Sequence, residues 1–249
     1  MTEQQWKAFC AFRDDFRAHC DGWAKDYSAI LSPLAKEASA KDTPAYDIEN
    51  PIVYNTALDS VSQASDIRAI VIGDNPGKDE QRSANRKYLI GQSGKVAESF
   101  FRNHRAFDFD FRANAVILNK TPVHSAKTTH LKHIASASQE AAELIRETQL
   151  YMAHATAALH IALCEGEQEV ALWLVGYSEL RGRGIFSAYR DCLKTAYDAH
   201  RGEWESVFVF QHFSMNRFAI DFKAHYRDGE NAIDALKALG AQHKQEIFQ

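Results

Sequence analysis

Cysteine, proline and any surplus of one charge are all scarce in this chain of 249 residues. The four cysteines, Cys10, Cys20, Cys164 and Cys192, stand far apart and form no C-x-x-C pair. That spacing argues against a disulfide framework and for reduced thiols in a cytoplasmic protein. Lysine and arginine number 29 against 33 aspartates and glutamates, a net charge of −4. No whole-molecule field therefore draws the chain onto nucleic acid or an acidic membrane, and any polyanion contact must come from a local basic face. No segment approaches the roughly 20 apolar residues of a membrane span. The start, "MTEQQWKAFC", lacks the basic stretch and apolar core of a secretion signal. Internal repeats and low-complexity tracts are absent as well.

What is present is a set of four short, continuously apolar runs: "AIVIG" (69–73), "AVILN" (115–119), "ALWLVG" (171–176) and "VFVFQH" (207–212). Helical patterns separate them, at 93–105, about 129–164 and 185–200, and a last one covers the tail from 229 to 248. Uninterrupted apolar strands alternating with helices are the mark of a parallel sheet covered on both faces. The expectation is one α/β domain over 1–249, a three-layer α/β/α fold with a central four-stranded parallel sheet. Trp6, Phe9, Phe12, Phe16, Trp23, Tyr27 and Ile30 recur at helical spacing. They make residues 1–48 an N-terminal helical extension packed on that core, followed by a wrapping loop over 41–59.

Open parallel sheets bind ligands beyond the carboxyl ends of their strands. The residues in that place here are Asp74-Asn75-Pro76-Gly77, Asn119, Gly176-Tyr177-Ser178 and His212. An acid, two amides and an imidazole therefore converge on one sheet edge.

With these residues in view, the chain resembles the uracil-DNA glycosylase superfamily. "GDNPG" (73–77) is similar to the family's G-x-N-P-G motif, "ILNKTP" (117–122) to its strand-ending Asn, and "QHFSMNR" (211–217) to its H-P-S motif. "YLIGQSGK" (88–95) and "ENPIVYNTALD" (49–59) resemble two further family segments, so the likeness runs from about 49 to 222. It is nearest the single-strand-selective monofunctional and Asn-Pro-Gly classes. Phe213 stands where the pattern has Pro, and Lys120-Thr121-Pro122 stand where iron–sulfur members carry a cysteine. No cluster, metal or other cofactor is expected.

The resemblance implies a monofunctional enzyme that hydrolyses the N-glycosidic bond of uracil or a related damaged base, acting as a monomer on single- or double-stranded DNA. Such an enzyme everts the base, reads its edge, positions a water and stabilises the leaving oxygen. Asn75 is the first candidate to hold the water and Asp74 the second. His212 would donate to the developing oxyanion. Asn119 has the donors and acceptor that suit uracil's edge. Pro76 and Gly77 offer backbone groups to the base, and Tyr88, or its neighbour Leu89, would stack on it. Lys78 and Lys120 would meet phosphates. Ser214, Met215, Asn216 and Arg217 would form the loop that enters the DNA, with Met215 or Arg217 in the gap. Two other readings stand beside this one. One is a catalytically silent protein of the same fold that binds nucleic acid or a protein. The other is an α/β enzyme acting on free nucleotides, although no phosphate-binding fingerprint is present.

Overall fold

The four apolar runs pair into one sheet in the computed structural model, which describes residues 1–165, 169–227 and 229–249. Its strands are β1 (Ala69–Gly73), β2 (Ala115–Asn119), β3 (Ala171–Val175) and β4 (Val207–Phe210), all parallel, in the order β2-β1-β3-β4. Every residue of β1, β2 and β4 is buried, as a sheet covered on both faces requires. The chain leaves β1 towards β2 and leaves β3 towards β4. Strand order therefore reverses between β1 and β3, and a crevice opens beyond their carboxyl ends.

Around the sheet run α1 (Glu3–Ala40), α2 (Gln92–Asn103), α3 (Thr128–Ala137), α4 (Gln139–Leu163), α5 (Tyr177–Leu180), α6 (Ser187–Ala196), α7 (Arg201–Glu205), α8 (Arg217–His225) and α9 (Ala232–Ile247). Side chains alternate across a strand, so Trp173, Phe208 and Phe210 share one face. There Trp173 stacks on Phe101 of α2, Phe210 meets Phe218 of α8, and Gly240 of α9 lies against Phe208 and Phe210. Leu172, Leu174, Val207 and Val209 point the other way and are fully buried. The mutually packed set α1, α3, α4 and α6 remains to cover them.

The N-terminal pattern forms a single helix, α1, which continues through Pro33 and opens on a capping box between Thr2 and Gln5. It packs on α3 and α4. The stretch expected as one helix over 129–164 divides at Ser138, whose hydroxyl accepts from the Ala141 N–H and starts α4 anew. Helix α8 was not foreseen, because its apolar residues Phe218 and Phe222 follow a polar loop with no capping signal. Among the described residues, no helix is long and apolar enough to cross a membrane.

One buried group gives the fold a marked acid sensitivity. His160 is fully buried; its Nε2 faces the Val170 carbonyl at 2.8 Å and its Nδ1 faces the Tyr197 hydroxyl at 2.7 Å. Nε2–H donates to the carbonyl, and Nδ1 accepts from the phenol. Burial depresses its pKa to about 4, although the Val170 carbonyl opposes that shift. Below about pH 6.5 the unfolded chain takes up a proton that the folded chain refuses. The stability this neutral imidazole contributes is thus complete above that pH and is lost as pH falls towards 4, to the extent of roughly 3 kcal/mol. Urea unfolding of the unaltered chain and of His160→Gln, compared at pH 7 and pH 4.5, tests this. The wild-type advantage should shrink at the lower pH.

Candidate functional site

A cleft of about 460 Å³ opens at the reversal point, lined by the 74–80 segment, residues 125–128, the start of α5 and the 211–217 loop. Asp74 is at its floor. Its Oδ1 is 2.6 Å from Lys120 Nζ, and its Oδ2 accepts from the Thr128 hydroxyl at 3.2 Å. Gly176 closes over the same carboxylate with φ +110°, and any side chain there would strike Asp74 Oδ1.

Lys120 is not a phosphate contact. Its side chain is wholly buried, and Nζ also donates to Val175 O at 2.7 Å and Gly73 O at 3.2 Å. The sequence places it just past β2, where a lysine reads as surface charge. The tertiary meeting of three acceptors instead draws it under the cleft.

Asn75 lines the cleft with its amide nitrogen committed. Nδ2 donates to Pro76 O at 3.1 Å, Ser125 O at 3.1 Å and Ser125 Oγ at 3.0 Å. The carbonyl Oδ1 is left as its working atom. Pro76 is buried and does not border the cleft. Its carbonyl instead anchors the following loop, accepting from Ser125 N at 3.2 Å and from His124 Nδ1 at 2.9 Å. Gly77 does reach the cleft, but its N–H is spent on Glu80 Oε2 at 3.1 Å and is not free for a base.

His212 borders the cleft, and its tautomer follows from its partners. Nδ1 lies 3.1 Å from the Ser214 backbone nitrogen, which can only donate, so Nδ1 is bare and Nε2 carries the proton. The Ser214 hydroxyl lies 2.7 Å from the same Nδ1. Burial lowers the imidazole pKa, Asp74 raises it, and Lys120 and Arg217 lower it again. The ring is a neutral N–H donor.

The 211–217 loop is anchored by Phe213, fully buried with its ring 5.5 Å from Phe111 and 4.9 Å from Phe218. Beyond it Met215 and Asn216 both adopt left-handed backbone, with φ of 54° and 58°. This turn leaves Met215 77% exposed beside the rim, with Asn216 also exposed, while Ser214 and Arg217 face the cleft.

Two further expectations fail on burial. Tyr88 is sealed in the core with its hydroxyl on the Val53 carbonyl, so it cannot stack on a ligand. Leu89, at φ 51°, is the neighbour that reaches the cleft. Asn119 is also buried and does not line the cleft. It lies against Gly73, where a Cβ would collide with its Oδ1. Its Nδ2 has no hydrogen-bond partner among the described residues. Of the expected phosphate contacts, Lys78 borders the cleft with Nζ 5.1 Å from the Tyr46 ring centre. Two other lysines nearby, Lys127 and Lys132, are engaged with Asp42 and Glu179 at 2.9 and 3.4 Å.

Several residues at the site went unread in the sequence: Ser125, Thr128, Glu179 and above all Glu80. Glu80 had no signal, since it sits in the run "KDEQR", which reads as solvated charge. The structure folds it inward. Burial pushes its carboxyl up to about 7, against the pull of the Gly77 and Leu89 amides and Arg112. Compared with known proteins, the chain matches no protein-family model and no curated protein.

The Glu80 shift has a sign opposite to that of His160. Between about pH 4.5 and 7 the folded chain keeps a proton that the unfolded chain has released. Its contribution is complete below pH 4.5 and is lost as pH rises through 7. Glu80→Gln should therefore gain on the unaltered chain by roughly 3 kcal/mol between pH 4.5 and pH 8. Denaturation midpoints that move in parallel across that range would contradict the assignment.

Proposed function

We propose that this chain is a monofunctional DNA glycosylase of the uracil-DNA glycosylase type, hydrolysing the N-glycosidic bond of uracil or a related damaged base. The observation that carries the reading is the shared cleft. The neutral Nε2–H of His212 and the Asp74-Asn75 pair, far apart in sequence, border one cavity at the strand-order reversal.

The chemistry follows from those atoms. As the bond between C1′ and the base nitrogen breaks, its electrons leave with the base and negative charge grows on a carbonyl oxygen of the base. The Nε2–H of His212 donates to that oxygen without giving up a proton, as preorganised donors do. The sugar becomes cationic and lies against the Asp74 carboxylate. Water held by Asn75 Oδ1 and Asp74 adds to C1′, and its proton passes out through the carboxylate. Leu89 supplies an apolar wall for the base. The edge-reading role assigned to Asn119 has no support from the cleft, so base selectivity falls to Ser125, Ser178 and Gln211 among the polar groups that line it.

The withdrawal of Asn119 and Tyr88 from the cleft favours one second reading: a protein of this fold that binds nucleic acid and releases no base. A release assay decides between them, using oligonucleotides with uracil, hypoxanthine, xanthine or 5-hydroxymethyluracil in single and double strands. The glycosylase reading expects free base from at least one substrate. It expects His212→Ala to cut kcat about 10²–10³-fold, and the Asn75→Ala, Asp74→Ala double variant to abolish release. DNA binding without release selects the second reading.

A further inference from the structure

We propose that Lys120 is a positioning residue, whose buried ammonium fixes the Asp74 carboxylate at the cleft floor and thereby aims its charge at the sugar. The inference deepens the glycosylase reading and rests on it.

The geometry carries it. Lys120 starts at the end of β2 and spans the reversal point to reach β3. Its backbone N–H donates to Gly73 O at 3.0 Å, and its Nζ meets Gly73 O, Asp74 Oδ1 and Val175 O. An ammonium has three N–H groups, and three acceptors surround this one. No N–H is left for a substrate, and no lone pair is available for attack on C1′, so Lys120 is neither a phosphate ligand nor a Schiff-base nucleophile. Burial lowers its pKa while the Asp74 charge raises it, so the proton is held by the pairing.

Asp74 is confined in turn. Lys120 holds one oxygen and Thr128 the other, and Gly176 leaves no space behind Oδ1. Asp74 lines the cleft and Lys120 does not, so the pair presents a dipole with its negative end towards the ligand. A dipole steadies a cationic sugar in contact with it, and its field fades faster with distance than that of a bare carboxylate. The departing base anion is repelled less. Asn75, its Nδ2 bonded to the 125 loop, offers only a neutral carbonyl.

Two measurements test the proposal. The first needs no substrate. In protein carrying ¹⁵N at lysine Nζ, the Lys120 signal, assigned by its loss in Lys120→Met, should titrate at lower pH in Asp74→Asn than in the unaltered chain. Unchanged titration overturns the pairing. The second is base release under saturating substrate. Lys120→Met should lower kcat at least about tenfold with little change in KM. If Lys120→Met does not fold, Asp74→Asn is compared with Asp74→Asn/Lys120→Met, which leaves no unpaired charge. The two should agree within about threefold, because Lys120 acts only through Asp74. A larger further drop, or an undiminished kcat in Lys120→Met, overturns the role of Lys120 while leaving the glycosylase reading intact. No release by the unaltered chain overturns both.

Discussion

The ion pair between Lys120 and Asp74 is the constraint around which the carboxyl edge of the sheet is arranged. Removing a single member of a buried pair costs about 3–5 kcal/mol, because the remaining charge is left without a partner or solvent. The surrounding chain is fitted to that requirement. Gly73 and Val175 turn their carbonyls to the ammonium, Thr128 takes the second carboxylate oxygen, and Gly176 adopts a backbone that a side chain would forbid. Three strands and the first turn of α3 are tied to one point, and that point is the floor of the cleft.

A second layer of hydrogen bonds fixes the walls. The Pro76 carbonyl and the Asn75 amide clamp the turn after β1 onto the loop after β2 through His124 and Ser125. His124 is itself held neutral, its pKa lowered to about 4 by burial, with its second nitrogen 2.9 Å from the Tyr46 hydroxyl. On the opposite wall, Phe213 does by packing what a proline does by ring closure: it fixes the start of the 214–217 loop. The ring lies among Phe111 and Phe218, so the left-handed residues Met215 and Asn216 project from a fixed base. Burial of the ring at 213 holds the start of the loop, with Ser214 beside His212.

The sheet was legible because four runs of continuous apolar residues admit few other arrangements, and the strand-end rule then found Asp74, Asn75 and His212. Lys120, Tyr88 and Glu80 were not legible, for one physical reason. Each is a polar or amphipathic side chain outside a strand or helix, and a local reading leaves it at the surface, facing solvent or a ligand. What reverses that assignment is an acceptor or donor brought from elsewhere: Val175 O for Lys120 and Val53 O for Tyr88. For Glu80 one partner is only three residues away, the Gly77 N–H, and the Leu89 amide comes from further along the chain. Asn119 was misplaced more subtly. Its position beside Gly73 in the register is as expected, but the absent side chain at 73 lets the amide fold over the strand and away from the cleft.

The charges around the cleft constrain how a polyanion can approach. Asp74, Asp79, Glu80 and Glu179 line it together with Lys78, Lys127 and Arg217, and Lys127 is already engaged by Asp42. This is no electrostatic funnel. Under the glycosylase reading, few phosphates are neutralised on binding, so affinity depends weakly on salt and draws more on the extruded base than on the backbone. Under that same reading, the balance suits a site whose floor is a dipole and whose donor to the leaving oxygen is a neutral ring. A strongly cationic cleft would stabilise the leaving base anion but oppose the positive charge forming on the sugar. If the chain is such an enzyme, the nearly balanced lining leaves each developing charge to the one group placed beside it.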